Sequence, residues 1–341
     1  MYNCAIIGLG RIGCGFDDEN FSSRILTHAG TYKKNKKTKL IAFSDIDKKK
    51  LFRYGEKYKV KNLYSNFEEM FDKEALDIVS ICTHSNLHYQ IVERAVKAGI
   101  KGIFLEKPIS NSLNDAKKII DICKKNNVKL QIDHQRRFSR FYHTVKQMIN
   151  NKKFGDIKQI NTYYGNGIIN TGSHLMDLIC FLVGDFYWIE GKKSRISCSL
   201  KNDLNIDGNF FLKNGGFGTI QATDYEKFRI LEIDVIGEKG RMVIDLAKTT
   251  ARFYQIEIKK NNLVYNELVE KRITNNDKKE EIVSGLENLI LSLEKNIEVY
   301  CKGEDGYKSL EICIAFLKSS KKDGKRLKIP LPASIHKFSI I

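Results

Sequence analysis

Tyr2-Asn3-Cys4-Ala5-Ile6-Ile7-Gly8-Leu9-Gly10-Arg11-Ile12-Gly13 opens the chain with a short apolar run that ends in the spacing G-x-G-x-x-G. Glycines at these positions let a backbone turn approach a pyrophosphate, whose charge then meets free N–H groups at a helix start. The pattern alone is weak. Its place at the first strand turn makes it informative, because that is where a dinucleotide site begins in an alternating β/α chain. Gly8, Gly10, Arg11, Ile12 and Gly13 are therefore the first candidate cofactor residues. A second apolar run, Leu40-Ile41-Ala42-Phe43-Ser44, ends in Asp45. A carboxylate there accepts from ribose hydroxyls and repels a 2′-phosphate, which favours NAD over NADP. Asp45 also suits the N-cap of the segment that follows. It lies 32 residues beyond Gly13, against about 20 in the simplest form. The excess falls in residues 14–24, with Asp17, Asp18 and Glu19, and reads either as a surface insertion or as a lid over the cofactor.

Outward from this stretch the alternation continues. Ile78 to Cys82, Gly102 to Leu105 and Val128 to Ile132 are further strand-like runs. Helical patterns separate them at Phe67 to Phe71, Tyr89 to Ala98 and Asn114 to Lys124. Continuous apolar strands between amphipathic helices predict a doubly wound parallel sheet, the α/β Rossmann arrangement, over residues 1–128. After about residue 150 strands follow one another: Lys158 to Tyr164, Trp188 to Gly191, Ser194 to Leu200, Gly208 to Leu212, Gly216 to Ala222, Arg229 to Ile236, Arg241 to Asp245 and Ala251 to Lys259. Helices are expected at Ser173 to Leu182, Ile282 to Tyr300 and Gly306 to Lys318. Residues 129–341 are thus expected to form an α+β domain with a large, mostly antiparallel open sheet that binds substrate and builds oligomers.

The 341 residues suit two domains. Lys and Arg number 58 against 41 Asp and Glu, leaving a formal charge of +17. The cations are mostly lysines scattered along the chain, which reads as a solvated coat and not as a nucleic-acid surface. The longest nearly apolar run, Leu175 to Phe186, is broken by Asp177 and Asp185 and is too short to cross a membrane. None of the 8 cysteines forms a CxxC pair. This points to a reducing cytoplasm, with neither a zinc site nor a disulfide framework expected. The opening residues show no secretory pattern, so a cytoplasmic location is expected.

Leu105-Glu106-Lys107-Pro108 ends the fourth strand run. A lysine at a strand's carboxyl end can hold a substrate oxygen, although a solvated charge is the plainer use of one. Arg136 and Arg137 follow the fifth run and suit either an anion clamp or salt bridges. His28, His84, His134, His143 and His336 carry no pattern that assigns them.

Taken in order, GLGRIG, SDID, ICTHSNLHYQIVERAVKAGIKGIFLEKPIS and INTGSHLMDL resemble the Gfo/Idh/MocA family of oxidoreductases. So do EIDVIGEKG at 232–240 and the segment 319–325. The resemblance implies NAD(P)-dependent oxidation or reduction of a sugar, cyclitol or related polyol, in a protein that forms homodimers or homotetramers. It implies that Lys107 contacts the reacting hydroxyl and the nicotinamide side, and that Glu106 touches the nicotinamide ribose. Thr83, Asn86 and His88 match a T-P-x-N-x-x-H cofactor turn, with His84 in place of the proline. His174 matches an acid/base histidine and Asp177 the carboxylate three residues later. Asn170 stands where the family commonly has aspartate. If 170–178 opens a helix, Asn170 and His174 are one turn apart.

Hydride removal from a C–H makes the attached O–H acidic, so a base must take that proton while a cation steadies the oxygen. An imidazole, with an ordinary pKa of about 6.5, suits the first role and an ammonium the second. Two other functions fit the same fold. One is a non-catalytic NAD-sensing regulator. The other is an enzyme that uses bound NAD as an internal relay for glycoside cleavage or epimerisation. The sensor needs neither Lys107 nor His174.

Overall fold

The computed structural model describes residues 1–19, 24–257, 266–274 and 280–340. Two compact units divide the chain: Met1–Ser139 with residues 279–307, and Arg140–Lys278 with Lys308–Ile340.

In the first unit the elements run β1 (Tyr2–Ile7), α1 (Phe16–Glu19), α2 (His28–Lys34), β2 (Thr38–Ser44), α3 (Lys48–Tyr58), β3 (Asn62–Tyr64), α4 (Phe67–Lys73), β4 (Ile78–Ile81), α5 (His88–Lys97), β5 (Gly102–Leu105), α6 (Leu113–Lys125) and β6 (Lys129–Ile132). The six strands are all parallel, in the order β3-β2-β1-β4-β5-β6. Ile6, Phe43, Ile81, Phe104 and Ile132 are fully buried, as strands covered on both faces require. Side-chain caps set the helix starts. Thr27 accepts from Gly30, Asp47 from Lys49 and Lys50, Asn66 from Glu68 and Ser112 from Asp115, each at the backbone N–H. Asp47, and not Asp45, caps the helix after β2.

The second unit contains α7 (Arg140–Asn150), β7 (Ile157–Tyr164), α8 (Ser173–Leu182), β8 (Phe186–Lys193), β9 (Ile206–Leu212), β10 (Phe217–Ala222), β11 (Glu232–Gly237), β12 (Gly240–Asp245), β13 (Thr250–Glu257) and β14 (Glu267–Thr274). Then α9 (Glu281–Lys295) belongs to the first unit, α10 (Gly303–Ser320) has residues in both, and β15 (Leu327–Lys328) belongs to the second. The strand order is β14-β13-β12-β11-β7-β10-β9-β8-β15. Every pair is antiparallel except β7 with β10. Ile206, Phe210, Leu212 and Ile220 are fully buried on one face. Gly191 admits α10 to that face, since a Cβ there would stand 2.8 Å from Phe316. The opposite face is mixed. Trp188 stacks on Phe211 at 5.9 Å between ring centroids, Phe217 is exposed beside them, and Glu190, Asp207 and Gln221 share the surface.

Two expectations change in detail. Residues 194–200 form a loop. The Asn205 amide donates to the carbonyls of Ile196 and Ser197, and Ser194 Oγ accepts from Ile196 N, so these groups are taken from any ladder. The helix expected to reach Tyr300 stops at Lys295, where Asn296 turns left-handed at φ 50°. Asn288 Oδ1 then accepts from Tyr300 N at 2.7 Å and holds the returning loop. Of the strand expected over Ala251 to Lys259, residues 258 and 259 lie outside the described residues.

The buried Tyr164 hydroxyl joins β7 to β9. It donates to Ile206 O at 3.0 Å and accepts from Ile206 N at 2.7 Å. Tyr164→Phe would leave both backbone groups buried and unpaired, and should lower the unfolding free energy by about 1–3 kcal/mol. Chemical denaturation would show this, and an unchanged midpoint would refute it.

Candidate functional site

The first turn is built by close approach. Gly8 has φ +92°, its N–H donates to Ser44 O at 2.8 Å, and a Cβ would sit 2.7 Å from the Cys82 carbonyl group. At Gly13 a Cβ would drive into the Gly8 carbonyl oxygen. Gly10 is the contrast, with no atom within 4 Å of where its Cβ would stand. The turn is thus closed against the sheet at two glycines and open at the middle one. That leaves a cradle at a helix start, where uncapped N–H groups favour a phosphate. The Asp45 carboxylate braces it, accepting from Leu9 N at 2.6 Å and from Asp47 N at 2.8 Å. These residues fit a dinucleotide.

Arg11 to Gly15 form a π-helical turn that runs into α1. Arg11 is exposed, pairs with Glu19 at 2.7 Å and lies over the Phe16 ring at 4.5 Å. The other acids of the inserted stretch are also engaged. Asp17 accepts from Leu26 N at 2.7 Å and from the Thr27 hydroxyl, and Asp18 pairs with Arg53 and Lys57. Residues 20–23 of that stretch lie outside the described residues.

Thr83 follows β4, with Asn86 exposed beyond it. His88 is buried with its ring nitrogens 3.1 Å from Thr83 O and 3.2 Å from Ile109 O, and as a neutral imidazole it donates to one of the two carbonyls. It supports the turn from below, and burial pushes it down to about 4. Glu106 and Lys107 follow β5, and Glu106 Oε2 accepts from Lys107 N at 3.2 Å. The first unit therefore gathers Gly8, Gly10, Gly13, Asp45, Thr83, Glu106 and Lys107 at the carboxyl ends of β1, β2, β4 and β5. This is where an open parallel sheet binds its ligand. Arg137 is buried, with its guanidinium 3.1 Å from Asp305, so it serves as an ion pair.

Sequence reasoning left His28 unassigned and passed over Asp133. The structure puts both against Glu106. His28 Nε2 lies 3.2 Å from Glu106 Oε1 and 3.4 Å from Asp133 Oδ2. All three side chains are buried, and they are the one group among the described residues with a metal-ligand donor set. A histidine four residues past the inserted segment, at the start of α2, gives no pattern, so only the fold could bring it to the ends of β5 and β6.

In the second unit His174 is half-buried in the first turn of α8, and Asp177 is buried in the next. Asn170 lies outside that α-helix, in the π-helical turn Gly167–Gly172. Its amide donates to Asn166 O at 3.3 Å. Asp203 holds this turn, accepting from Asn170 N at 2.8 Å and from Ile169 N at 3.1 Å. Asn205 Oδ1 accepts from Gly167 N at 2.9 Å. Gly167, at φ +91°, packs where any side chain would meet Asp203. Asp203 and Asn205 thus position the approach to His174, and nothing in their local spacing announced it.

Comparison with known proteins agrees with this geometry. Residues 2–134 match the oxidoreductase family's NAD-binding Rossmann fold, and residues 146–329 match its C-terminal alpha/beta domain. Oxidoreductase P35 of Formosa agariphila is 23% identical over 286 residues, covering 76% of this chain and 84% of that protein. The myo-inositol 2-dehydrogenase of Thermotoga maritima is 32% identical over 150 residues, which are 44% of this chain and 41% of that protein. A levoglucosan dehydrogenase solved with NADH and levoglucosan superposes with a TM-score of 0.79 at 16% identity, over 96% of this chain and 99% of that one. At that identity the likeness is one of fold. The two domain matches together span most of the sequence, and the chain belongs to the Gfo/Idh/MocA family of oxidoreductases, with an NAD-binding Rossmann domain at its N-terminus.

Proposed function

We propose that this chain is an NAD-dependent dehydrogenase or reductase of a sugar, nucleotide sugar or cyclitol, with Lys107 and His174 acting on the reacting oxygen. The observation that carries the reading is the crevice of the first unit, where a glycine turn open only at Gly10 shares the strand ends with Lys107. Residues 1–128 supply the cofactor site. The remainder supplies His174, Asn170 and Asp177 for the substrate and the surface for self-association. The named activities of two similar proteins, on myo-inositol and levoglucosan, support a polyhydroxylated substrate.

Bound NAD supplies the hydride acceptor. The chain's own part is to hold and move the proton. The Lys107 ammonium stabilises the oxygen as its proton leaves, and the His174 imidazole accepts that proton. Thr83 and Asn86 line the cofactor side, on a turn that His88 supports. Arg11 and Ile12 present the helix-start backbone to the pyrophosphate. The mixed outer face of the second unit's sheet, with Trp188, Phe211 and Phe217, suits contact with a second copy.

The test is a panel of sugars, cyclitols and nucleotide sugars scored by reduced-nicotinamide absorbance, with a positive signal expected for at least one class. Tight NAD binding with no turnover across the panel would favour the sensor, and copurified NAD with product but no net NADH would favour the internal relay. Lys107→Ala and His174→Ala should each lower kcat by about 10²-fold or more while NAD still binds. Near-normal turnover in either would remove that residue from the chemistry. Asp45 should make kcat/KM higher with NAD than with NADP, and Asp45→Ser should narrow the gap. Equal values in the unaltered protein would contradict the assignment. Light scattering at micromolar concentration should give the mass of a dimer or tetramer, and a monomer mass would refute the self-association.

A further inference from the structure

Beneath the strand ends that carry Glu106 and Lys107 lies a charge balance that does not close. His28 Nε2 faces Glu106 and Asp133 at 3.2 and 3.4 Å. His28 Nδ1 is 2.9 Å from Ser80 Oγ, which is 2.8 Å from the Tyr32 hydroxyl. Gln135 Nε2 donates to Asp133 Oδ2 at 3.2 Å, and Lys107 N donates to Glu106 Oε2. Asp133 Oδ1 is buried with no hydrogen-bond partner among the described residues. The Phe104 ring edge stands 4.7 Å from the imidazole. Fully ionised, one imidazolium and two carboxylates carry a net negative charge where apolar strands exclude water. Such a site must hold a further proton or be met by a cation.

A cation is available on one side. Asp45 at the end of β2 marks the adenosine half of the crevice, so the half built from β4, β5 and β6 receives the nicotinamide. The oxidised ring is positively charged and the reduced ring is neutral. We propose that His28, Glu106 and Asp133 form a proton-holding site that reads this charge: the cluster keeps one proton beyond the imidazolium's when the ring is reduced or absent, and releases it when the cationic ring binds. The inference rests on NAD occupying the crevice of the first unit and is independent of the substrate.

Burial and the Asp133 carboxylate push Glu106 up to about 7, so the extra proton sits on Glu106. Burial opposes the charge on His28, but the Asp133 and Glu106 carboxylates beside its Nε2 outweigh it and raise its pKa. Burial would raise Asp133 too, but its pairing with His28 keeps it low. Burial raises the Cys82 thiol and the Tyr32 phenol, keeping both protonated, and His88 is neutral. Lys107 and His134 follow Glu106 and Asp133 in the chain, just beyond the ends of β5 and β6. On the α9 side, Glu280 pairs with Lys34 and Glu281 with Arg24.

By reciprocity, whatever the cationic ring does to the proton, the proton does to the ring. Both cofactor forms share the pyrophosphate and adenosine, so the ratio Kd(NAD⁺)/Kd(NADH) isolates the ring's charge. Both constants should be measured by titration calorimetry on the full chain. The ratio should fall about tenfold per pH unit below about 7 and level off above it. NAD⁺ binding near neutral pH should release protons, seen as a heat that depends on the buffer, and NADH binding should not. Asp133→Asn, which removes one charge and keeps the shape, should flatten the ratio. Glu106→Gln should do the same and serves if the first variant does not fold. His174→Ala should keep the slope. A flat ratio in the unaltered protein, a slope surviving both cluster variants, or a stoichiometric metal ion in the purified protein would overturn the proposal. Failure of both cofactor forms to bind at every pH would overturn the NAD reading with it, whereas binding with a flat ratio overturns this inference alone.

Discussion

The backbone of the first turn presses against the end of β4, and much of the first unit's chemistry depends on that approach. A Cβ on Gly8 would lie 2.7 Å from the Cys82 carbonyl group, and one on Gly13 would strike the Gly8 oxygen. Only glycine permits both. The end of β1 stands beside the end of β4 because the two strands pair, and the strand order reverses there. A ligand crevice forms at such a point. Asp45 then closes the structure from the β2 side by accepting from Leu9 N, so one carboxylate braces the turn.

Around this crevice the protein uses charge in two ways. The surface excess that makes the chain +17 is largely lysine and is screened by solvent. Its ion pairs, such as Lys73 with Glu69 or Lys97 with Glu93, are exposed and contribute little to stability. Under β5 and β6 there is no such screening. There the balance of one imidazole against two carboxylates is a local matter, and small changes in nearby charge move protons.

What was legible in the sequence was whatever short-range pattern dictates. The apolar runs of β1, β2, β4, β5 and β6 are strands buried within the sheet, and their turns carry the glycines in recognisable spacing and Asp45 at a strand's end. The change of pattern after residue 150 likewise marks a second sheet. What was hidden depends on contacts between distant positions. Residues 194–200 have a strand-like composition, yet Asn205 takes their carbonyls. β14, Glu267–Thr274, is so charged that only its pairing with β13 makes it a strand. Asp203 reaches across 33 residues to hold Asn170, and His28 across 78 to meet Glu106. No spacing rule reports such pairs, because the fold creates them.

Amide hydrogen exchange, followed with and without NAD, tests most directly whether the strand-end crevice of the first unit is the cofactor site. Slower exchange is expected at 8–13, at 45–47, and in the turns after β4 and β5 at 83–88 and 106–109. Unchanged exchange in all of these segments, under conditions where NAD is independently shown to bind, would contradict the assignment.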